Sequence, residues 1–110
     1  VGKWKIIQTK GESEPWWFFD DWRKDITAIF EYESKIDTID QYVKKIGELK
    51  KAFPYLKQKN YHTVAFWDPN ERVFCEGCDD DLQIYHGLIF MYNDNLVDLK
   101  NEVSIRKVLQ

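Results

Sequence analysis

From Trp4 to Lys10 the chain reads WKIIQTK, in which Trp4, Ile6 and Gln8 alternate with Lys5, Ile7 and Thr9. A two-residue period predicts a strand with at least one buried face, and Gly11 interrupts it. After Asp21 the period changes. Trp22, Ile26, Ile29 and Phe30 recur at helical spacing, with Asp20 or Asp21 placed to cap the first amides, which predicts a helix. The β-branched ITAIF run inside that stretch also suits an extended strand. A second helix is signalled by Thr38 and Gln41 as a capping box, and Ile39, Tyr42, Val43, Ile46, Leu49 and Phe53 trace its apolar face as far as Pro54.

Beyond a lysine-rich connection, YHTVAFW and RVFC flank the turn sequence DPNE. This predicts a hairpin in which Trp67 faces Arg72. QIYHGLIFMY and LVDL around NDN predict another, Asp94 and Asn95 accepting the positive φ of a tight turn. Asn101 to Gln110 reads as a short terminal helix. This order predicts one α+β domain over residues 1–110, a mainly antiparallel sheet of hairpins packed by about two helices.

Composition changes that picture at one point. Apolar residues at 44% and charged residues at 32% are ordinary for a globular domain, but there are 5 Trp, 6 Tyr and 7 Phe. At roughly 200 Å² each, these rings carry on the order of 3,600 Å² of surface. A domain of this size hides only about two thirds of what its unfolded chain exposes, so some rings are expected at the surface.

The net charge of −3 conceals a division along the chain. Between Glu12 and Glu33 seven acids stand against Arg23 and Lys24, a net of −5, and Asp68 to His86 also carries −5, whereas Lys35 to Lys59 carries +4. Two faces of opposite sign are expected. No apolar run is long enough for a membrane span and no secretory leader opens the chain, so the expected setting is cytoplasmic, with no membrane partner.

Two cysteines three residues apart do not form the framework of a secreted disulfide-rich domain, and reduced thiols or a metal suit FCEGC better. In the expected hairpin register, Val64 faces Cys75 and His62 faces Gly77, which makes His62 and Cys75 diagonal neighbours on one face. With Cys78 and His86 they make a candidate Cys2His2 zinc set, zinc being the one cofactor for which the sequence offers ligands. Buried structural thiols are the plainer reading. A redox pair lacks its usual strand-to-helix frame. Asp79, Asp80 and Asp81 lack the spacing of a calcium loop and suit turn capping better than catalysis with His86. GxSxG, Walker A and GxGxxG patterns are absent, which leaves catalysis the minority reading.

The stretch EPWWFFDDW, from Glu14 to Trp22, is the candidate binding segment. Pro15 disfavours a helix interior, and an extended run points Trp16 and Phe18 one way and Trp17 and Phe19 the other. One pair can enter the core while the other meets a partner. Trp16, Trp17, Phe18 and Trp22 are the candidate anchors, edged by Glu12, Glu14, Asp20 and Asp21, and their chemistry suits a protein or peptide partner bearing Arg or Lys. Lys44, Lys45, Lys50, Lys51, Lys57 and Lys59, with Tyr55 and Tyr61, offer a nucleic-acid alternative against which the overall acidity argues.

An early strand, EPWWFFDDW with DI shortly after, and FCEGCDDDLQIYHGLIF together resemble a family of small cytosolic proteins of low-GC Gram-positive bacteria, the domain of unknown function numbered one thousand and thirty-three. The resemblance runs from Trp4 to about Leu99. It implies a bacterial cytosolic origin and makes both blocks hallmarks of one domain, and it assigns no activity, substrate or cofactor to any residue.

Overall fold

The computed structural model describes residues 3–110; the first two positions of the domain expected over 1–110 lie outside them. In chain order the elements are β1 (Trp4–Gly11), a 3-10 turn (Trp22–Asp25), β2 (Ile26–Tyr32), α1 (Lys35–Ala52), β3 (Tyr55–Lys59), β4 (Thr63–Trp67), β5 (Arg72–Cys75), β6 (Asp80–Gln83), β7 (Tyr85–Tyr92), β8 (Asn95–Leu96) and α2 (Val103–Val108). The main sheet runs β2-β1-β7-β4-β3, with β8 added to β7, and β5 and β6 form a separate two-stranded ribbon. Every pairing is antiparallel. The class is α+β. Among the described residues no helix is long and apolar enough to cross a membrane.

The central strands explain themselves. In β7, Leu88, Ile89 and Phe90 are all fully buried, a continuous apolar run that only a strand covered on both faces can use. Ile6, Val64, Phe66, Leu88 and Phe90 point to one face, where Tyr42 and Ile46 of α1 and Ile105 of α2 close the main core. Ile7, Ile89 and Met91 point to the other face, where Phe18, Trp22 and Ile26 cover them. The aromatic segment is therefore the roof of the sheet's second face.

Three expectations are corrected. The helix expected after Asp21 is a single 3-10 turn followed by β2, whose residues alternate between half-buried and exposed. Ile29 and Phe30 pair with Ile7 and Ile6, so an available sheet edge and β-branched side chains outweigh the helical spacing. The second helix begins before its expected capping box. Ser34 Oγ accepts the Asp37 amide at 3.1 Å, and Thr38, inside the first turn and buried, donates its hydroxyl to the Ser34 carbonyl at 2.6 Å.

The third correction concerns the hairpins. The Asp68–Glu71 turn forms, with the Glu71 amide donating to the Asp68 carbonyl at 2.9 Å. It does not pair β4 with β5. Thr63 to Phe66 are fully buried, and β4 fills the gap between β7 and the lysine-bearing edge strand β3. β5 instead folds back on β6, Cys75 facing Asp80. The β7–β8 hairpin forms as expected, but Asn93 and Asp94, not Asp94 and Asn95, take the positive φ values of 48° and 64°.

Candidate functional site

The segment between β1 and β2 is a chain of tight turns. The Trp17 amide donates to the Glu14 carbonyl at 3.4 Å, that of Trp22 to Phe19 at 2.8 Å, and that of Lys24 to Asp21 at 3.1 Å. Phe18 adopts a φ of 46°, the left-handed region that a bulky residue enters only when its surroundings hold it there. Its ring is held edge-on to Trp22, centroids 5.0 Å apart at 88°, and both rings pack onto Ile7, Ile89 and Met91.

That inward pair turns its neighbours outward. Trp17 and Phe19 are 57% and 56% exposed, and their rings lie nearly parallel, 17° between planes with centroids 6.4 Å apart. The alternation expected of WWFF holds at these positions. Of the expected anchors, Trp17 is presented to solvent, Trp16 is half-buried, and Phe18 and Trp22 are packed against the sheet. Phe19, outside the expected set, is the ring beside Trp17, and the period-two pattern already paired the two.

A cleft of about 460 Å³ opens on the Phe19 side of this pair, with Glu12, Glu14, Asp21, Asp25, Phe18 and Phe19 in its walls together with Lys10 and Lys24. Asp25 lies over the end of β1, so close that a side-chain carbon on Gly11 would sit 2.5 Å from Asp25 Oδ2. Asp20 and Asp21 are exposed, and Asp21 Oδ2 lies 2.8 Å from Lys24 Nζ, whose hydrogen bond holds the Asp21 carboxyl below the usual range. Among the described residues, Glu12, Glu14 and Asp25 have no ion-pair partner. The cleft thus holds four carboxylates against the two ammonium groups of Lys10 and Lys24, a net negative charge beside the exposed Phe19 ring.

The four candidate zinc ligands are not brought together. Cys75 and Cys78 are joined to each other in a disulfide, in place of the reduced thiols expected. His62 is buried beside β4, its Nδ1 2.7 Å from Thr63 Oγ1, and burial, aided by the nearby Lys59 charge, lowers its pKa. His86 directs Nε2 to Glu71 Oε1 at 2.8 Å and lays its ring against Phe53. The expected approach of His62 to Cys75 needed a β4–β5 hairpin, and β4 pairs elsewhere. Among the described residues no three His, Cys, Asp or Glu side chains converge on a metal position.

The acidic triad is local in its bonding, Asp80 Oδ1 accepting the Asp81 amide at 2.8 Å, and the acid facing His86 is Glu71. The lysines divide between two faces. Lys45 lies over the Phe30 ring at 3.6 Å, and Lys50 donates to the Val108 carbonyl at 2.8 Å, both on the helical side of the sheet. Lys57 and Lys59 project with Tyr55 from the opposite side of β3, since the intervening Leu56 joins the main core. Tyr61 packs against that core as well.

Sequence reasoning missed an aromatic row on this second face. Tyr55 stacks on Trp67, centroids 5.8 Å apart at 23°, and Trp67 meets Tyr85 edge-on at 5.6 Å. The three rings come from β3, β4 and β7, and no local pattern could align them before β3 was known to be a strand. Burial, with Glu14 nearby, raises the Tyr85 phenol pKa, while Arg72 acts the other way.

Searches of curated proteins and of solved structures returned no match. A family model described as protein of unknown function DUF1033 matches residues 3–108, nearly the whole chain and both blocks that carried the resemblance. The chain belongs to the DUF1033 family.

Proposed function

We propose that this domain is a non-catalytic cytoplasmic binding module, which uses the Trp17–Phe19 ring pair and the neighbouring acidic cleft to hold a cationic segment of another protein. The observation that carries the reading is the more than half exposure of two large, nearly parallel rings above a well-packed layer. Leaving two aromatic side chains in water forgoes about 1.5–3 kcal/mol of burial for a fully hidden ring, and none of the described residues covers them. A guanidinium stacks on an indole face while its charge is met by carboxylates. Glu12, Glu14 and Asp25 supply those, and with Asp21 they outnumber Lys10 and Lys24 in the cleft, so that the net field would steer a basic peptide to it.

Titration of the protein with an Arg- and Lys-rich peptide, followed by calorimetry, tests the reading. Trp17→Ala is expected to weaken binding by about 10- to 30-fold, the effect of a moderate hot spot, and to change unfolding stability by no more than about 0.5 kcal/mol. Unaltered affinity in a stable Trp17→Ala protein would overturn the proposal, as would indifference to replacing the peptide's basic residues by glutamine.

The Tyr55–Trp67–Tyr85 row favours a second reading, single-stranded nucleic acid stacked on the sheet face with Lys57 and Lys59 against its phosphates. It keeps Tyr55, Lys57 and Lys59 of the set expected from the sequence and leaves out Tyr61 and the lysines borne on α1. A fluorescent oligonucleotide should then gain anisotropy at low salt, lose it as salt rises, and lose it with Trp67→Ala but not with Trp17→Ala. No change at low salt would end this reading.

A further inference from the structure

The β5–β6 ribbon stands outside both cores. It is tied to the body near its base, where the Ile84 amide donates to the Glu71 carbonyl at 3.1 Å and Gln83 Nε2 donates to the Asp68 carbonyl at 2.7 Å. Phe74 is 57% exposed on it. At the tip, Cys75 is half-buried, and Glu76, Gly77 and Cys78 are exposed.

A disulfide across three residues of sequence closes a small ring and restricts the unfolded chain little. Nor does it fasten one element to another, because Cys75 already pairs with Asp80 across the ribbon. Fold maintenance therefore does not account for the bond. Its accessibility does suit exchange, and in a reducing compartment disulfides are characteristically transient, catalytic or sensing.

We propose that Cys75–Cys78 is a redox-active disulfide that accepts two electrons from a dithiol partner. The partner's thiolate attacks Sγ of Cys78, the more exposed of the two residues, forming a mixed disulfide as the Cys75–Cys78 bond breaks. The electron pair passes to Cys75 Sγ, toward which the Cys78 backbone amide donates at 3.3 Å and stabilises the departing thiolate. The partner's second thiolate then attacks its own sulfur in the mixed disulfide and releases Cys78. The partner leaves as a disulfide, and the two protons from its thiols end on Cys75 and Cys78.

Charge selects the partner. Glu76 lies between the two cysteines, Asp79, Asp80 and Asp81 follow Cys78 directly, all four are exposed, and Asp80 faces Cys75 across the ribbon; their charge repels an anionic thiolate carrier and disfavours glutathione relative to an uncharged thiol.

The folded protein is equilibrated in dithiothreitol buffer poised at the potential of the thioredoxin couple, then quenched with an alkylating agent and weighed. The proposal expects two added alkyl groups, loss of both on reoxidation, and an unchanged near-ultraviolet circular dichroism spectrum. Under 2-mercaptoethanol the trapped mixed disulfide should map to Cys78, and the rate advantage of that reagent over glutathione should shrink as salt is raised. A pair that stays oxidised at this potential, that opens only when the domain unfolds, or whose mixed disulfide maps to Cys75 would overturn the assignment. None of these outcomes depends on peptide binding at Trp17.

Discussion

Phe90→Ala is expected to lower the unfolding free energy by about 3–5 kcal/mol. Phe90 lies in β7, is fully buried, and meets Tyr42 edge-on with centroids 5.2 Å apart at 81° and Trp4 at 6.1 Å and 70°. The space left by its ring is hard to refill. Tyr42, the largest neighbour from α1, is anchored by its hydroxyl donating to the Tyr61 carbonyl at 2.9 Å, so collapse into the cavity would leave a buried donor without its acceptor. The same burial pushes the Tyr42 phenol far above its ordinary pKa, which favours the neutral, donating form. Since small domains hold only about 5–15 kcal/mol in all, the substitution should shift the urea midpoint far enough to leave a substantial unfolded fraction under mild conditions. A loss of less than about 1 kcal/mol would contradict the placement of this ring between sheet and helix. The contrast with Trp17→Ala, which removes a larger side chain at little cost, separates the aromatic residues that build the fold from those it presents.

The division between legible and hidden features follows the range of the interactions behind them. Trp4 to Lys10, the Tyr42–Ile46 face of α1 and the β7–β8 hairpin are readable because each is set by neighbours along the chain, a period or a cluster of turn residues, although the cap of α1 lies at Ser34 and the positive φ values at Asn93 and Asp94. β2 was misread because its spacing satisfies two periods, and the edge offered by Ile6 and Ile7 decides between them. YLKQK does alternate, but Lys57 and Lys59 disguise an edge strand as a polar connection, although lysine on an exposed edge also protects it from pairing with another chain. The DPNE turn is local and legible, whereas its strand pairing is not, because β4 has β7 as a more apolar partner than β5. At the site, the outward turn of Trp17 and Phe19 was legible from alternation. The inward anchoring that produces it was not, since it depends on Phe18 in the left-handed region over Ile7 and Ile89, residues distant in the chain.

The roof formed by the aromatic segment rests on one missing side chain, which makes Gly87→Ala the sharpest test of how the binding surface is built. Gly87 is buried in β7 between Thr9 of β1 and Ala65 of β4. Its φ is not positive, so the backbone there would accept any residue, and space is the constraint. A methyl carbon at this position would meet Thr9 Oγ1 and would lie 2.7 and 2.8 Å from Cβ and Cγ of Pro15. Thr9 can rotate its hydroxyl away, whereas the proline ring cannot bend, so either the sheet shifts or the segment from Glu12 to Trp22 lifts. Overpacking of this kind costs about 1–3 kcal/mol, against a gain of roughly 0.5–1 kcal/mol that alanine would bring to an unobstructed strand position. The variant should therefore be destabilised, with tryptophan emission shifted to the red as Trp22 loses its seat on Ile89, and with peptide affinity reduced although no ring has been removed. Pro15→Gly opens the same space from the other side. In a double-mutant cycle the combined protein should then be less destabilised than the two single variants together, by about 0.5–3 kcal/mol for groups in direct contact. Additive effects, or a Gly87→Ala protein as stable as the parent, would show that Pro15 does not sit on β7, and the outward stance of Trp17 and Phe19 would lose its physical cause.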